Sequence, residues 1–149
     1  MTDFDFLTGT WDIRNRRLTD FLDADSGWEE FPGVSHASRH FAGAANFDEV
    51  DFPTKGFAGL TVRLYDRHRD LWSLYWGSQL TGTLFPPVTG RFANGHGEFY
   101  GDDTYGGVDI RARFIWSGIT DRTARWEQAF STDGERTWLT NWVMTMTRR

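Results

Sequence analysis

The chain of 149 residues has the length of one domain and no cysteine, which removes disulfides, thiol nucleophiles, thiolate zinc and cysteine-ligated iron–sulfur sites from consideration. A net charge of -5, with no run of Lys or Arg longer than two, argues against nucleic acid. No apolar stretch approaches the ~20 residues of a membrane span, and the acidic Met1–Asp5 lacks the basic start of a secretory signal, so a cytoplasmic protein away from the membrane is expected. With 13 Phe, 8 Trp and 4 Tyr the chain is too aromatic for disorder and predicts an aromatic core.

In chain order, residues 2–7 predict a short helical turn, capped by Thr2 or Asp3, that plugs one end of a barrel. If Trp11 then faces inward, alternation carries Ile13, Asn15, Arg17, Thr19 and Phe21 inward with it. Asn15 and Arg17 would bring polarity suited to a ligand carboxylate, carbonyl or phenol oxygen; a bulge after Ile13 would turn both to solvent instead. A strand starting near Trp28 sets Thr19 opposite Glu30 and brings Glu30 near Arg17 as a candidate acid or base, whereas a one-residue register change sends Glu29 inward. His36 and His40 would sit ~13 Å apart on a strand, too far for a metal pair, and no metal site is predicted. Lys55, the one lysine, lies in a Pro/Gly-flanked segment that does not suit Schiff-base chemistry.

From residue 57 onward, turns set register. Asn94-Gly95 and Gly106-Gly107 suit tight type I′ hairpins, Asp66 to Asp70 and Asp133-Gly134-Glu135 suit longer loops, and Ser117 to Arg122 joins two more strands. Pairing outward from these turns predicts Leu64/Trp72, Val62/Leu74 and Leu60/Trp76 on one face. Phe99/Phe114, Ile110/Phe130 and the row Phe114, Trp126, Trp142 follow, with Met144 and Trp138 extending it. Arg91/Glu98, Asp102/Arg111, Tyr100/Arg113 and Arg113/Glu127 take the other face, with Asn141 beside Glu127. Burying such ions costs several kcal/mol each, so the charged face should look outward, and His96, Glu98, Tyr100 and Asp102 read as an external ladder rather than a catalytic cluster. An aromatic face with no helix to cover it predicts closure into an all-β, antiparallel up-and-down barrel of about 8–10 strands, a two-sheet sandwich being the alternative.

Leu7-Thr8-Gly9-Thr10-Trp11 carries the Gly-x-Trp that opens the first strand in calycins, the lipocalin and fatty-acid-binding-like barrels, and the chain resembles them. The whole chain looks most like small lipocalin-like bacterial barrels of unknown function, with residues 99–103 and 126–130 as its distinctive stretches. The resemblance implies a tryptophan closing the barrel floor beneath a basic residue, here Arg148 or Arg149, and a lumen for an apolar ligand, but it transfers no catalytic residue. Residues 131–138 also resemble a single Asp-box hairpin, read as a structural turn because no repeat accompanies it.

The leading expectation is binding of a small hydrophobic or aromatic molecule by Trp76, Phe114, Trp126, Gln128 and Trp142, with Asn15 and Arg17. Gln128 requires a partner: ligand, water or Thr140. The alternative is a cofactor-independent isomerase or cyclase using Glu30, or Asp103 at the rim, as its proton shuttle. A third reading is an interaction protein burying Tyr75 or Phe57 in a homodimer. No cofactor is predicted; a haem is a lesser alternative needing His36, His40, His68 or His96 as axial ligand.

Overall fold

Residues alternate between buried and exposed along most strands, and where the pairing closes on itself the buried series is sealed from water. The computed structural model describes every residue from Met1 to Arg149. Ten strands form a closed antiparallel barrel. They are β1 (Gly9–Leu18), β2 (Trp28–His40), β3 (Ala45–Phe52), β4 (Phe57–Asp66), β5 (Leu71–Ser78), β7 (Val88–Ala93), β8 (His96–Tyr105), β9 (Val108–Ser117), β10 (Thr123–Ser131) and β11 (Leu139–Arg148). The two-residue β6 (Thr83–Leu84) pairs with the end of β5 outside this ring. Each strand pairs with its successor, and β11 returns to β1 from Trp11↔Arg148 to Arg17↔Trp142, so the sheet is a barrel and not a sandwich. Its narrowest seam joins β5 to β7 over Trp72↔Gly90, Ser73↔Thr89 and Leu74↔Val88. No helix is long and apolar enough to cross a membrane.

One end is stoppered by the N-terminal segment. A 3-10 turn over Asp5–Leu7 starts with a backbone bond from Asp5 N–H to Thr2 O, with no side-chain cap, so neither Thr2 nor Asp3 acts as expected. Asp3 instead accepts the indole N–H of Trp72 at 3.0 Å, tying the plug to β5. Phe4 and Leu7 are buried, and the Phe4 ring packs edge-on against Trp72 and Phe92 with centroids 4.8 and 4.9 Å away. Trp11 donates its indole N–H to Leu7 O at 3.0 Å, and the Arg148 guanidinium lies 4.4 Å from the Trp11 ring centroid. Arg148 also donates to Thr8 O at 2.6 Å, to Asp121 O at 2.9 Å and to Phe6 O, so one cation gathers carbonyls from the plug and the β9–β10 loop.

The tight turns set register as expected. Asn94 and Gly95 take φ of 53° and 73°, Gly106 and Gly107 take 57° and 79°, and the resulting hairpins align Arg91↔Glu98, Tyr100↔Arg113, Asp102↔Arg111 and Phe99↔Phe114. Between β9 and β10 the register lies two residues from expectation, pairing Phe130 with Ala112 rather than Ile110, and Arg113 with Ala129 rather than Glu127. An even displacement leaves every side chain on its expected face. Between β4 and β5 the displacement is one. Asp66 pairs with Leu71, leaving a loop of Arg67 to Asp70, and its carboxylate accepts the backbone N–H groups of His68 and Arg69. Tyr65↔Trp72, Arg63↔Leu74 and Thr61↔Trp76 therefore replace the predicted pairs, while Leu60 and Leu64 are exposed outside with Phe47.

Two further expectations change. Trp138 lies outside, against Tyr100 and beneath the Arg113 guanidinium at 4.5 Å, because it belongs to the loop before β11. Asn141 is buried, because a bulge between Gln128 and Ala129 gives the partner strand an extra residue there. Phe57 faces inward, half-buried against Phe52 with ring centroids 5.0 Å apart. The Asp133 turn behaves as a structural turn: its carboxylate accepts from the Thr137 hydroxyl, the Thr137 N–H and the Ser131 hydroxyl, which hold it down at about 2.

Replacing Arg148 by Met keeps cover over Trp11 but removes its charge-assisted bonds to backbone carbonyls. We expect a loss on the order of 3 kcal/mol in urea unfolding, with less than half recovered by Arg148→Lys, whose single ammonium cannot span them.

Candidate ligand-binding site

Inward positions from the stoppered end upward give the lumen three levels. The deepest is a chamber of about 50 Å³ whose apolar wall includes Ile13, Trp116, Trp126, Met144 and Met146. A vestibule of about 300 Å³ lies beyond it, reaching Phe21, Phe85, Asp103 and Tyr105 at the mouth. Leu74, Trp76, Phe114, Gln128 and Trp142 border both spaces and form the neck between them. Trp142 meets Trp126 and Trp76 edge-on at 5.7 and 6.2 Å, and Phe114 meets Trp126 at 5.0 Å.

Gly59, directly inward on β4, allows this neck. A Cβ there would lie 1.9 Å from Cη2 of Trp76, so only glycine lets the indole rest against the β4 wall. On the opposite side, Trp142 donates its indole N–H to Asn15 Oδ1 at 3.0 Å, while Asn15 Nδ2 donates to Phe31 O at 3.2 Å. Gln128 Nε2 donates to Asn141 Oδ1 at 2.9 Å, and Asn141 Nδ2 reaches Phe21 O at 3.3 Å. Asn141, not Thr140, is thus the partner of Gln128.

The chamber has one polar wall. Asp48 on β3 pairs with Thr61 on β4, and Asn46 pairs with Arg63, so four polar side chains face inward from two adjacent strands. Arg63 Nη1 lies 3.0 Å from Asp48 Oδ1 and donates to Asn46 Oδ1 at 2.6 Å; Ser35 donates to Asp48 Oδ2 at 3.2 Å. The guanidinium carbon sits 5.2 Å from the Phe4 ring and 5.7 Å from Trp116, directly over the plug. Burial pushes the Arg63 guanidinium below its ordinary value, and the Asp48 charge opposes that shift.

A second ionic group sits at the rim. Arg17 donates to Glu29 Oε1 from Nε at 3.1 Å and from Nη2 at 2.8 Å, and Lys55 binds the other oxygen. The Arg17 guanidinium is held between the rings of Phe31 and Trp142, 4.9 Å from each. Glu29 therefore takes the inward position and Glu30 is exposed outside, a correction that follows from the pairing Arg17↔Glu29. The hydrogen bond from Lys55, aided by Arg17, holds the Glu29 carboxyl below its ordinary value against the opposing effect of burial.

Of the residues expected to meet a ligand, Trp76, Phe114, Trp126, Gln128 and Trp142 line the lumen. Asn15 is consumed in orienting Trp142, and Arg17 is bound at the rim. Asp103 lies at the mouth as expected, accepting the Thr104 N–H at 2.7 Å. Glu30 lies outside the barrel, facing away from the lumen. The outer positions of His96, Glu98, Tyr100 and Asp102 agree with a surface ladder, in which Glu98 accepts from Tyr100 at 3.2 Å and Arg111 reaches Asp102 at 3.2 Å. His36 and His40 bond to Thr10 and Ser38, respectively. Sequence reasoning missed Asp48, Thr61 and Arg63. The signal that could have found them is Asp66, whose side chain caps a four-residue loop and so moves β4 by one position.

No family model matches the chain, and no curated protein matches it in sequence. Among solved structures it is similar to the S-type phycobiliprotein lyase CPES from Guillardia theta, with a TM-score of 0.60 and 12% identity, covering 98% of this chain and 90% of that chain. At that identity the likeness describes the fold.

The rim group predicts a pH effect of definite sign. Because the folded Glu29 carboxyl titrates below its ordinary 4.5, its contribution is complete above that value and is lost as pH falls through the lowered one. In urea unfolding, Glu29→Gln should cost on the order of 1 kcal/mol or less at neutral pH, the group being partly exposed, and the two proteins should converge as pH falls through the lowered value.

Proposed function

We propose that this chain is a calycin-like barrel that binds a small hydrophobic or aromatic molecule in its lumen. The observation that carries the reading is that one aromatic wall borders two internal spaces, a chamber of about 50 Å³ on its inner side and a vestibule of about 300 Å³ on its outer side. A solidly packed core would have filled both. The vestibule matches the lower end of the ~300–1,000 Å³ typical of small-molecule sites, which favours a ligand of one or two fused rings. Burying about 200 Å² of its carbon surface would contribute about 5 kcal/mol before the costs of association. The fold likeness to an S-type phycobiliprotein lyase supports the barrel on which the reading rests.

Naphthalene- and indole-based compounds should raise the melting temperature and quench tryptophan fluorescence. Gly59→Ala, which forces the Trp76 indole off the β4 wall and into the neck, should weaken the same compounds at least about tenfold while far-UV circular dichroism stays unchanged. Absence of any melting shift across such a panel, or equal affinity in Gly59→Ala, would count against the lumen as the site.

A further inference from the structure

The polar wall of the inner chamber has unused hydrogen-bonding capacity in a place otherwise lined with hydrocarbon. Arg63 Nε has no partner. Asp48 Oδ1 has only the Arg63 Nη1 ion-pair contact at 3.0 Å, and so keeps room for a further donor. Both side chains are more than nine-tenths buried, at 4% and 6% exposure, and both line the chamber. Thr61, directly across the strand pair from Asp48, adds a hydroxyl to the same wall. Buried donors and acceptors left unpaired are unfavourable, so a group that satisfies them gains more here than it would in water.

The charges decide which group that is. Asp48 and Arg63 neutralise one another, so an anion entering the chamber meets the Asp48 carboxylate and a cation meets the Arg63 guanidinium. A neutral group offering an acceptor to Arg63 or Thr61 and a donor to Asp48 meets neither penalty. The chamber exceeds the ~10–15 Å³ that a single water requires, and so holds a group of a few heavy atoms while the apolar body stays in the neck and vestibule. Resting on the lumen reading above, we propose that the inner chamber selects a neutral head group with a carbonyl acceptor beside an N–H donor, a carboxamide, lactam or imide, over a carboxylate.

Three probes with one apolar body test this: 1-naphthylacetamide, its methyl ester counterpart and 1-naphthylacetate, titrated by tryptophan fluorescence at a pH where the acid is ionised. The amide should bind at least about tenfold more tightly than the carboxylate, and more tightly than the ester, which lacks the donor. Asp48→Asn, which leaves the Arg63 charge uncompensated, should reverse the order in favour of the carboxylate. A carboxylate that binds as tightly as the amide, or an ester that equals it, overturns the assignment. The wild-type comparison decides the matter even if Asp48→Asn fails to fold. Equal binding of all three overturns only the head-group assignment, whereas no binding of any overturns the lumen reading with it.

Discussion

The pairing of β11 with β1 is the interaction on which everything else depends. Without the ladder from Trp11↔Arg148 to Arg17↔Trp142, the sheet would be an open ribbon with Trp72, Trp116, Trp126 and Trp142 on a wetted face. With it, the tryptophan side becomes an interior and both edges vanish. Arg148 lies at the end of that ladder and fastens the N-terminal plug by its carbonyls, so closure of the sheet and closure of its floor share one residue. The two ends of the chain are thereby interlocked, and the lumen exists only while both are in place.

Within that interior the Asp48–Arg63 pair is an anomaly for stability. A buried pair of this kind is commonly matched or exceeded by well-packed apolar residues, by ~1–4 kcal/mol, and the surrounding tryptophans and methionines show that the chamber can be packed with hydrocarbon. Its placement fits the head-group recognition proposed above, since the polar atoms stand at the deep end of a lumen whose neck is kept open by Gly59. The rim group differs. Arg17, Glu29 and Lys55 are partly exposed, and they fix the edge of the mouth and the face of Trp142.

How much of this the sequence disclosed depended on the connections. Where a turn demands positive φ, as at Asn94-Gly95 and Gly106-Gly107, register followed directly, and β7, β8 and β9 were legible pair by pair. The longer loop from Ser117 to Arg122, with Gly118 alone at positive φ, set register less tightly, yet the displacement there was even and the aromatic face survived. At β4 a displacement of one exchanged Leu60 and Leu64 for Thr61 and Arg63, because alternating leucines favour the interior unless the loop length says otherwise. The long connection from Thr19 to Gly27 had the same effect on Glu29 and Glu30. The aromatic part of the site was therefore readable, and its ionic part was not. No local pattern announces a charge inside a barrel, and that charge was hidden behind a one-residue count.

The most direct test of the lumen uses the eight tryptophans as reporters. In protein labelled with 5-fluorotryptophan, fluorine NMR during a titration with 1-naphthylacetamide should shift the resonances of Trp76, Trp126 and Trp142. Those of Trp28 and Trp138, which lie outside beneath Arg16 and Arg113, should stay in place. Shifts confined to Trp28 or Trp138 would contradict an account in which the enclosed side of the sheet is the binding side.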